Sequence, residues 1–338
     1  MREDAEHGAG RLPDGFARRR LLGVLSGGVV AQCCYAVVRL GIPDLLADGP
    51  LPVTELAART GANVHALRRM LHALSSMGIF RRTEPETYAL TSTSELLRSG
   101  IEGSLRQTAI LHGEEICRSF AEIMHTVHTG QPAFAAVYGM PFYDYLGGHP
   151  EVADSFAEAM GSERVPAALS GCELRGTVVD VGGGNGGLLA EILTTHQELR
   201  GVLLELPDAV RAARDRLLEA GVLDRVTLFE GSFFDRVPDG GDVYVLARVL
   251  HNWTDEHAEL ILRQVALAMP AAARLIVLER LVPEETAAGG MVDLLMLGML
   301  EGHDRTELEY LTLLDKAGFE VTSVRPGPAE CAIEAVRR

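Results

Sequence analysis

Nothing constrains the fold of this chain more than residues 178–187, the run Val-Val-Asp-Val-Gly-Gly-Gly-Asn-Gly-Gly. Its β-branched stretch predicts a buried parallel strand that stops at a carboxylate and breaks into glycines. A helical pattern of Leu188, Leu189, Ile192 and Leu193 follows, so the order is strand, glycine turn, helix. Glycine accepts positive φ and lets a ligand approach the backbone with no Cβ in the way. The start of the helix adds free N–H groups aimed at that ligand.

The spacing fits two kinds of cofactor. Gly182, Gly184 and Gly187 satisfy the dinucleotide fingerprint G-x-G-x-x-G. Asp180, Gly182, Gly184 and Gly186 satisfy D-x-G-x-G-x-G, the pattern of proteins that bind S-adenosylmethionine (SAM). Asp180 separates the two. A carboxylate at the strand end repels a pyrophosphate, whereas SAM carries an ammonium and a sulfonium and no phosphate. Glu205 ends the next apolar strand, where an acid can accept both hydroxyls of a ribose. The pair of acids favours SAM.

Strands are expected at 177–181, 201–205, 225–229, 242–247 and 274–279, with helices between them. That alternation predicts a parallel sheet covered on both faces, with ligands at the carboxyl ends of its strands. Segments 319–324 and 329–336 read as an antiparallel pair closing the sheet edge. His251 and Trp253 follow the fourth strand, just ahead of a helix that Thr254 is placed to cap. A histidine there can take a proton from a hydroxyl near neutral pH. An isolated histidine more often only bonds a backbone carbonyl. Here Glu279 ends the fifth strand and Asp304 follows the apolar stretch 292–300, so two acids converge on His251. A carboxylate on Nδ1 would fix its tautomer and stabilise its imidazolium.

Charge and composition close off other classes. The formal net charge of −16 opposes nucleic acid, and 47% hydrophobic with 23% charged residues is ordinary for a globular chain. Its 338 residues leave room for about two domains. Cys33, Cys34, Cys117, Cys172 and Cys331 lack zinc or C-x-x-C spacing and read as buried free thiols in a reducing compartment. No histidine and carboxylate cluster has metal-ligand spacing. Apolar runs fall short of the ~18 residues of a membrane span, and no signal peptide is recognisable. A cytoplasmic chain with no membrane partner is expected.

Residues 1–15 are polar and expected to form a mobile arm. A helical pattern then runs from Phe16 to about Ala47, with Gly23, Ser26, Gly27, Gly28 and Ala31 leaving room for a helix of a second subunit. Residues 51–77 read as a helix-turn-helix, with Thr54 capping the first helix, Gly61 turning the chain and Leu67, Leu71 and Leu74 facing inward. Ile79–Arg82 and 88–91 read as a hairpin wing. Arg68 and Arg69 would suit a DNA-reading helix, but no sustained basic face supports them, so a dimerisation module is the better reading. Segment 92–170 is expected to be mainly helical, around the aromatic cluster 138–146.

With these residues in view, the chain resembles the SAM-dependent small-molecule O-methyltransferases of the plant phenylpropanoid type and their bacterial relatives that tailor aromatic natural products. The resemblance covers roughly residues 20–338 and rests on YGMPFYDYL, SFAEAM, VVDVGGGNGG, LLELPDAV, EGSFFD, VLHNWTDEHA, LIVLERLVP, DLLMLGMLEGHDRT and LLDKAGF, in that order. It implies an α/β, Rossmann-like parallel-sheet SAM domain over 171–338. A helical, winged-helix dimerisation domain would span 16–100 and a helical pocket-lid region 101–170, in a homodimer with interlocked N-terminal helices.

By the same resemblance, Asp180, Gly182 and Gly184 would hold the methionine part of SAM, and Glu205 with Leu206 the ribose. Ser232, Phe233 and Arg248 would flank the adenine. His251 would be the base, oriented by Glu279 and Asp304. Phe142, Tyr143, Phe156, Met160, Asn252, Met291, Leu295 and Met299 would line the cofactor and acceptor pocket, with Tyr143 on the cofactor side. The acceptor would be a small aromatic carrying a phenolic hydroxyl. Ser232 stands where the family usually has aspartate, and Asn252 where it often has aspartate. A SAM-binding member with N-, C- or non-methylating chemistry is the nearest alternative; a winged-helix regulator that senses SAM is a more distant one.

Overall fold

The computed structural model describes residues 15–161, 167–283, 290–327 and 330–338, with no account of the Met160 side chain. The expected mobile arm therefore lies outside the described residues, apart from Gly15, which begins a helix. The chain divides into two compact units, Met1–Arg98 and Ser99–Arg338.

In the first unit the expected long helix is three helices, Gly15–Leu25, Gly27–Arg39 and Ile42–Leu45, the first two bent by 42°. Ser26 and the glycines after it are the reason: the Ser26 hydroxyl donates to the Leu22 carbonyl, and Gly27-Gly28 add little stiffness. The first helix buries none of its residues within its own chain, leaving Phe16, Leu21, Leu22, Val24 and Leu25 exposed. Among the described residues no single helix is long and apolar enough to cross a membrane.

Helices Val53–Thr60 and Val64–Ser76 form the helix-turn-helix, joined through Gly61 at φ 69°. Leu67, Leu71 and Leu74 are buried as their spacing requires. Pro52, not Thr54, precedes the first helix, with Thr54 already inside it; Asn63 caps the second through the amides of His65 and Ala66. The wing is strand β2 (Phe80–Glu84) with β3 (Thr87–Leu90), and a short β1 (Leu51–Pro52), not foreseen, pairs with β3.

The second unit is built on a seven-stranded sheet. Its strands are β4 (Thr177–Val181), β5 (Arg200–Glu205), β6 (Val226–Glu230), β7 (Val243–Ala247), β8 (Arg274–Glu279), β9 (Phe319–Pro326) and β10 (Cys331–Arg337). They lie in the order β6-β5-β4-β7-β8-β10-β9, all running the same way except β10, which is antiparallel to both β8 and the edge strand β9. Successive side chains alternate between two cores: Val178, Val243, Val245 and Ile276 on one face, Val179, Leu246, Leu275 and Val277 on the other. Strand order reverses between β4 and β7, which opens a crevice at their carboxyl ends.

Residues 106–161 form a helical layer within this unit, interrupted by a π-turn at His112–Ile116. Phe134, Phe142 and Met299 make a buried cluster, with Phe142 edge-on to Phe134 and Phe156. All five cysteines are free, but the expectation that they are buried fails: Cys117 is exposed and the others are half-buried.

Candidate active site

The crevice is made by the turns after β4, β5, β7 and β8. The β4 turn needs its glycines: Gly182 and Gly184 have φ of 73° and 56°. A Cβ on Gly183 would overlap Asp180 Oδ2 and lie 2.5 Å from Leu203 Cδ1. Asn185 holds this turn by donating to the Ala157 carbonyl at 3.0 Å, which ties it to helix Pro150–Gly161; sequence reasoning gave Asn185 no role.

Two acids face the turn. Asp180 is 1% exposed, and neither carboxylate oxygen accepts a hydrogen bond among the described residues. Burial, and next the Glu205 charge, push its pKa up to about 7, with Arg248 opposing. Glu205 accepts the amides of Gly184 (3.0 Å) and Leu206 (2.8 Å), which restrain the upward push of burial on its carboxyl. Buried acceptors without donors, beside a turn too tight for a side chain, fit a cationic ligand. They do not fit a pyrophosphate.

An aromatic wall adjoins them. Tyr143 stacks on Trp253 at 5.4 Å, and Phe233, Phe234 and His257 meet that indole edge-on. Burial and the nearby Glu205 hold the Tyr143 phenol well above its usual value, so it stays a neutral donor. Ser232 spends its hydroxyl oxygen on the Phe234 amide (3.2 Å). Arg248 adopts φ 56°, rare for a residue with a Cβ; its carbonyl accepts from the Asn252 side chain and its guanidinium lies 3.7 Å from Glu330.

His251 sits in the one-turn helix Leu250–Asn252 after β7. Its Nδ1 is 3.4 Å from Oε2 of Glu279, while Oε1 of Glu279 accepts the amides of Leu250 (2.8 Å) and His251 (3.3 Å). Burial disfavours the charged form of both partners: His251 is lowered to about 4 and Glu279 raised to about 8. Asp304 attracts a proton to His251, but its oxygens accept no hydrogen bond among the described residues. Glu279 Oε2 likewise accepts no hydrogen bond among the described residues, so Glu279 meets the imidazole as a close contact and Asp304 through its field. Thr254 caps helix Asp255–Ala268 through the His257 amide, as expected.

The acceptor-side expectations are met unevenly. Phe142 (5% exposed) and Met299 (8%) belong to the helical core and offer little open surface. Phe156 and Leu295 are partly exposed, Met291 is exposed, and the Met160 side chain lies outside the described residues. Two residues without any assigned role hold the His251 turn. Arg305 is fully buried and donates to Leu250, Trp253 and Asp255. A Cβ on Gly302 would overlap the His251 carbonyl oxygen and lie 2.5 Å from the Trp253 amide nitrogen.

A parallel sheet reversing at a glycine turn, two acids suited to a cation and a histidine–glutamate pair define an enzyme of the SAM methyltransferase class. Comparison with known proteins narrows this. Residues 120–320 match an O-methyltransferase domain and residues 22–100 an O-methyltransferase dimerisation domain. The chain is 40% identical to phenazine O-methyltransferase PhzM of Lysobacter antibioticus, over 94% of this chain and 95% of that one. It is 35% identical to 8-amino-8-demethylriboflavin N,N-dimethyltransferase of Streptomyces davaonensis, over 96% and 95%. A solved structure of NcsB1, an O-methyltransferase from neocarzinostatin biosynthesis in complex with SAM and 2-hydroxy-5-methyl naphthoic acid, superposes with a TM-score of 0.80. It is 32% identical, over 91% of this chain and 96% of that one. The chain belongs to the O-methyltransferase family with an N-terminal dimerisation domain, and SAM is its cofactor.

Asp180 and the glycine turn fit the cationic end of SAM, and Glu205 its ribose. Cation binding favours ionised Asp180, whose pKa is raised to about 7, so affinity for SAM is expected to rise with pH through that value. Replacing Glu205 by glutamine is expected to weaken binding by about 1.5–3 kcal/mol, the worth of hydrogen bonds to a charged acceptor. Isothermal titration with S-adenosylhomocysteine (SAH) and SAM between pH 6 and 8 measures both.

Proposed function

We propose that this enzyme methylates a hydroxyl, phenolic in character, on a small aromatic natural-product intermediate. It does so as a homodimer, with His251 as general base. The observation that carries the reading is the His251–Glu279 pair at the strand ends beside the glycine turn. Bound SAM supplies an electrophilic methyl group; the chain supplies position and proton transfer. With burial holding the imidazole neutral and Nδ1 turned to Glu279, Nε2 is free to accept the acceptor's hydroxyl proton. Only ionised Glu279, whose pKa burial raises to about 8, offsets the imidazolium charge, so proton transfer to His251 is expected to strengthen as pH rises toward that value.

Phenazine and naphthoate chemistry among the relatives supports a flat aromatic acceptor. The dimerisation match and the exposed apolar face of Gly15–Leu25 support the homodimer. Transfer to nitrogen is the second reading, favoured by the riboflavin-type relative. Incubation with methyl-labelled SAM and a panel of hydroxyphenazines, hydroxynaphthoates and the matching amines separates the two. A labelled methyl ether with equimolar SAH is expected, from a species sedimenting as a dimer. Labelled amines alone would move the reading to nitrogen; untouched SAM across the panel would end it.

A further inference from the structure

Arg305 has no exposed surface, yet carries a charge that an unpaired site in the interior would not tolerate. Its Nε donates to Asp255 Oδ1 at 2.9 Å, Nη1 to the Leu250 carbonyl at 2.9 Å and Nη2 to the Trp253 carbonyl at 2.7 Å. These three acceptors bracket His251. The carbonyls lie on either side of it, and Asp255 opens the helix that follows.

Glu279 holds the same turn from its amide side, through Leu250 and His251. Arg305 is itself anchored beside β8, because its carbonyl accepts the Val282 amide at 3.0 Å. The main chain around His251 is thus gripped by an acid on its N–H groups and a cation on its carbonyls. A planar guanidinium can meet three diverging acceptors at once; an ammonium cannot reproduce that fork.

Satisfying buried carbonyls is a sufficient role for many interior arginines. Here all three hydrogen bonds fall on the segment that carries the base, with the guanidinium also over the Tyr310 ring at 5.8 Å, and the same cation opposes protonation of His251. We propose that Arg305 is a positioning residue for catalysis: its guanidinium fixes residues 250–253 so that the His251 imidazole is presented against Glu279. This rests on the reading of His251 as the base.

The test compares R305K, H251A and the double variant in the full-length enzyme, with kcat and acceptor KM determined separately. SAH affinity and thermal unfolding report on the cofactor site and the fold. R305K is expected to lose about 10²-fold in kcat, the cost of a misplaced base, with acceptor KM and SAH affinity little changed. In the H251A background it should cost almost nothing more, because the residue acts through His251. Wild-type kcat in R305K overturns the inference, as does a loss that simply adds to that of H251A. Undiminished kcat in H251A alone overturns the base assignment and the inference with it, and so tells the two failures apart. If R305K does not fold, D255A removes the exposed third anchor. It should lower kcat by about threefold to tenfold with SAH affinity intact, and unchanged kcat there is equally fatal.

Discussion

Replacing His251 by alanine is expected to lower kcat by about 10²–10⁴-fold, the range a positioned general base contributes. SAH affinity should hardly change, since Glu205 and the β4 turn stand apart from the imidazole in the chain and make their own contacts. The pH profile carries the sharper signature. Burial lowers the wild-type imidazole to about 4, so the base form dominates above that value. Measured for the acceptor at saturating SAM, kcat/KM should then lack the fall near 6.5 that an unperturbed imidazole would bring, and rise toward about pH 8 as Glu279 ionises. Without His251 the reaction depends on phenolate already in solution, so the rate should climb about tenfold per pH unit below the acceptor's own pKa. Initial-rate measurements on both proteins over this range are decisive. A variant within about tenfold of wild type, with the same pH profile, would leave His251 no role as a base.

The same residues show what a sequence can disclose and what it cannot. Strands β4 and β8 were legible to the residue, because a short, nearly continuous apolar run is what a strand covered on both faces requires. His251 and Glu279 were legible for the same reason: each is the polar residue at or just after a strand end, where the fold must place its ligands. Thr54 misled because Pro52, two positions earlier, takes the extended N-cap backbone and the helix starts at Val53, before the threonine. Phe142 and Met299 read as pocket residues, but an aromatic side chain among Phe134 and Phe156 gains more by burial than by exposure. Arg305 escaped notice because its partners lie 50, 52 and 55 positions away, and nothing in Gly-His-Asp-Arg points to them. Long-range pairing of a buried charge leaves no local periodicity to read.

Gly302 escaped for a related reason, and its replacement is the second large effect expected. Glycine at 302 is required by proximity, not by its dihedral angles: unlike Gly182, it does not adopt positive φ. A methyl group at 302 would run into the backbone of residues 251–253, which cannot swing aside like the end of a flexible side chain. That backbone is pinned by Glu279 on its amides and Arg305 on its carbonyls, so relief must come from moving one of these contacts or the 302–305 segment itself. Either way His251 shifts relative to Glu279, and a displacement of about 1 Å costs on the order of 10²-fold in rate. Overpacking adds a stability loss of about 1–3 kcal/mol. Gly302→Ala should therefore lose kcat out of proportion to its melting temperature, while SAH binding persists. Paired melting curves and rate measurements decide it: a melting point and kcat both within error of wild type would mean that the two segments separate more easily than their contacts imply.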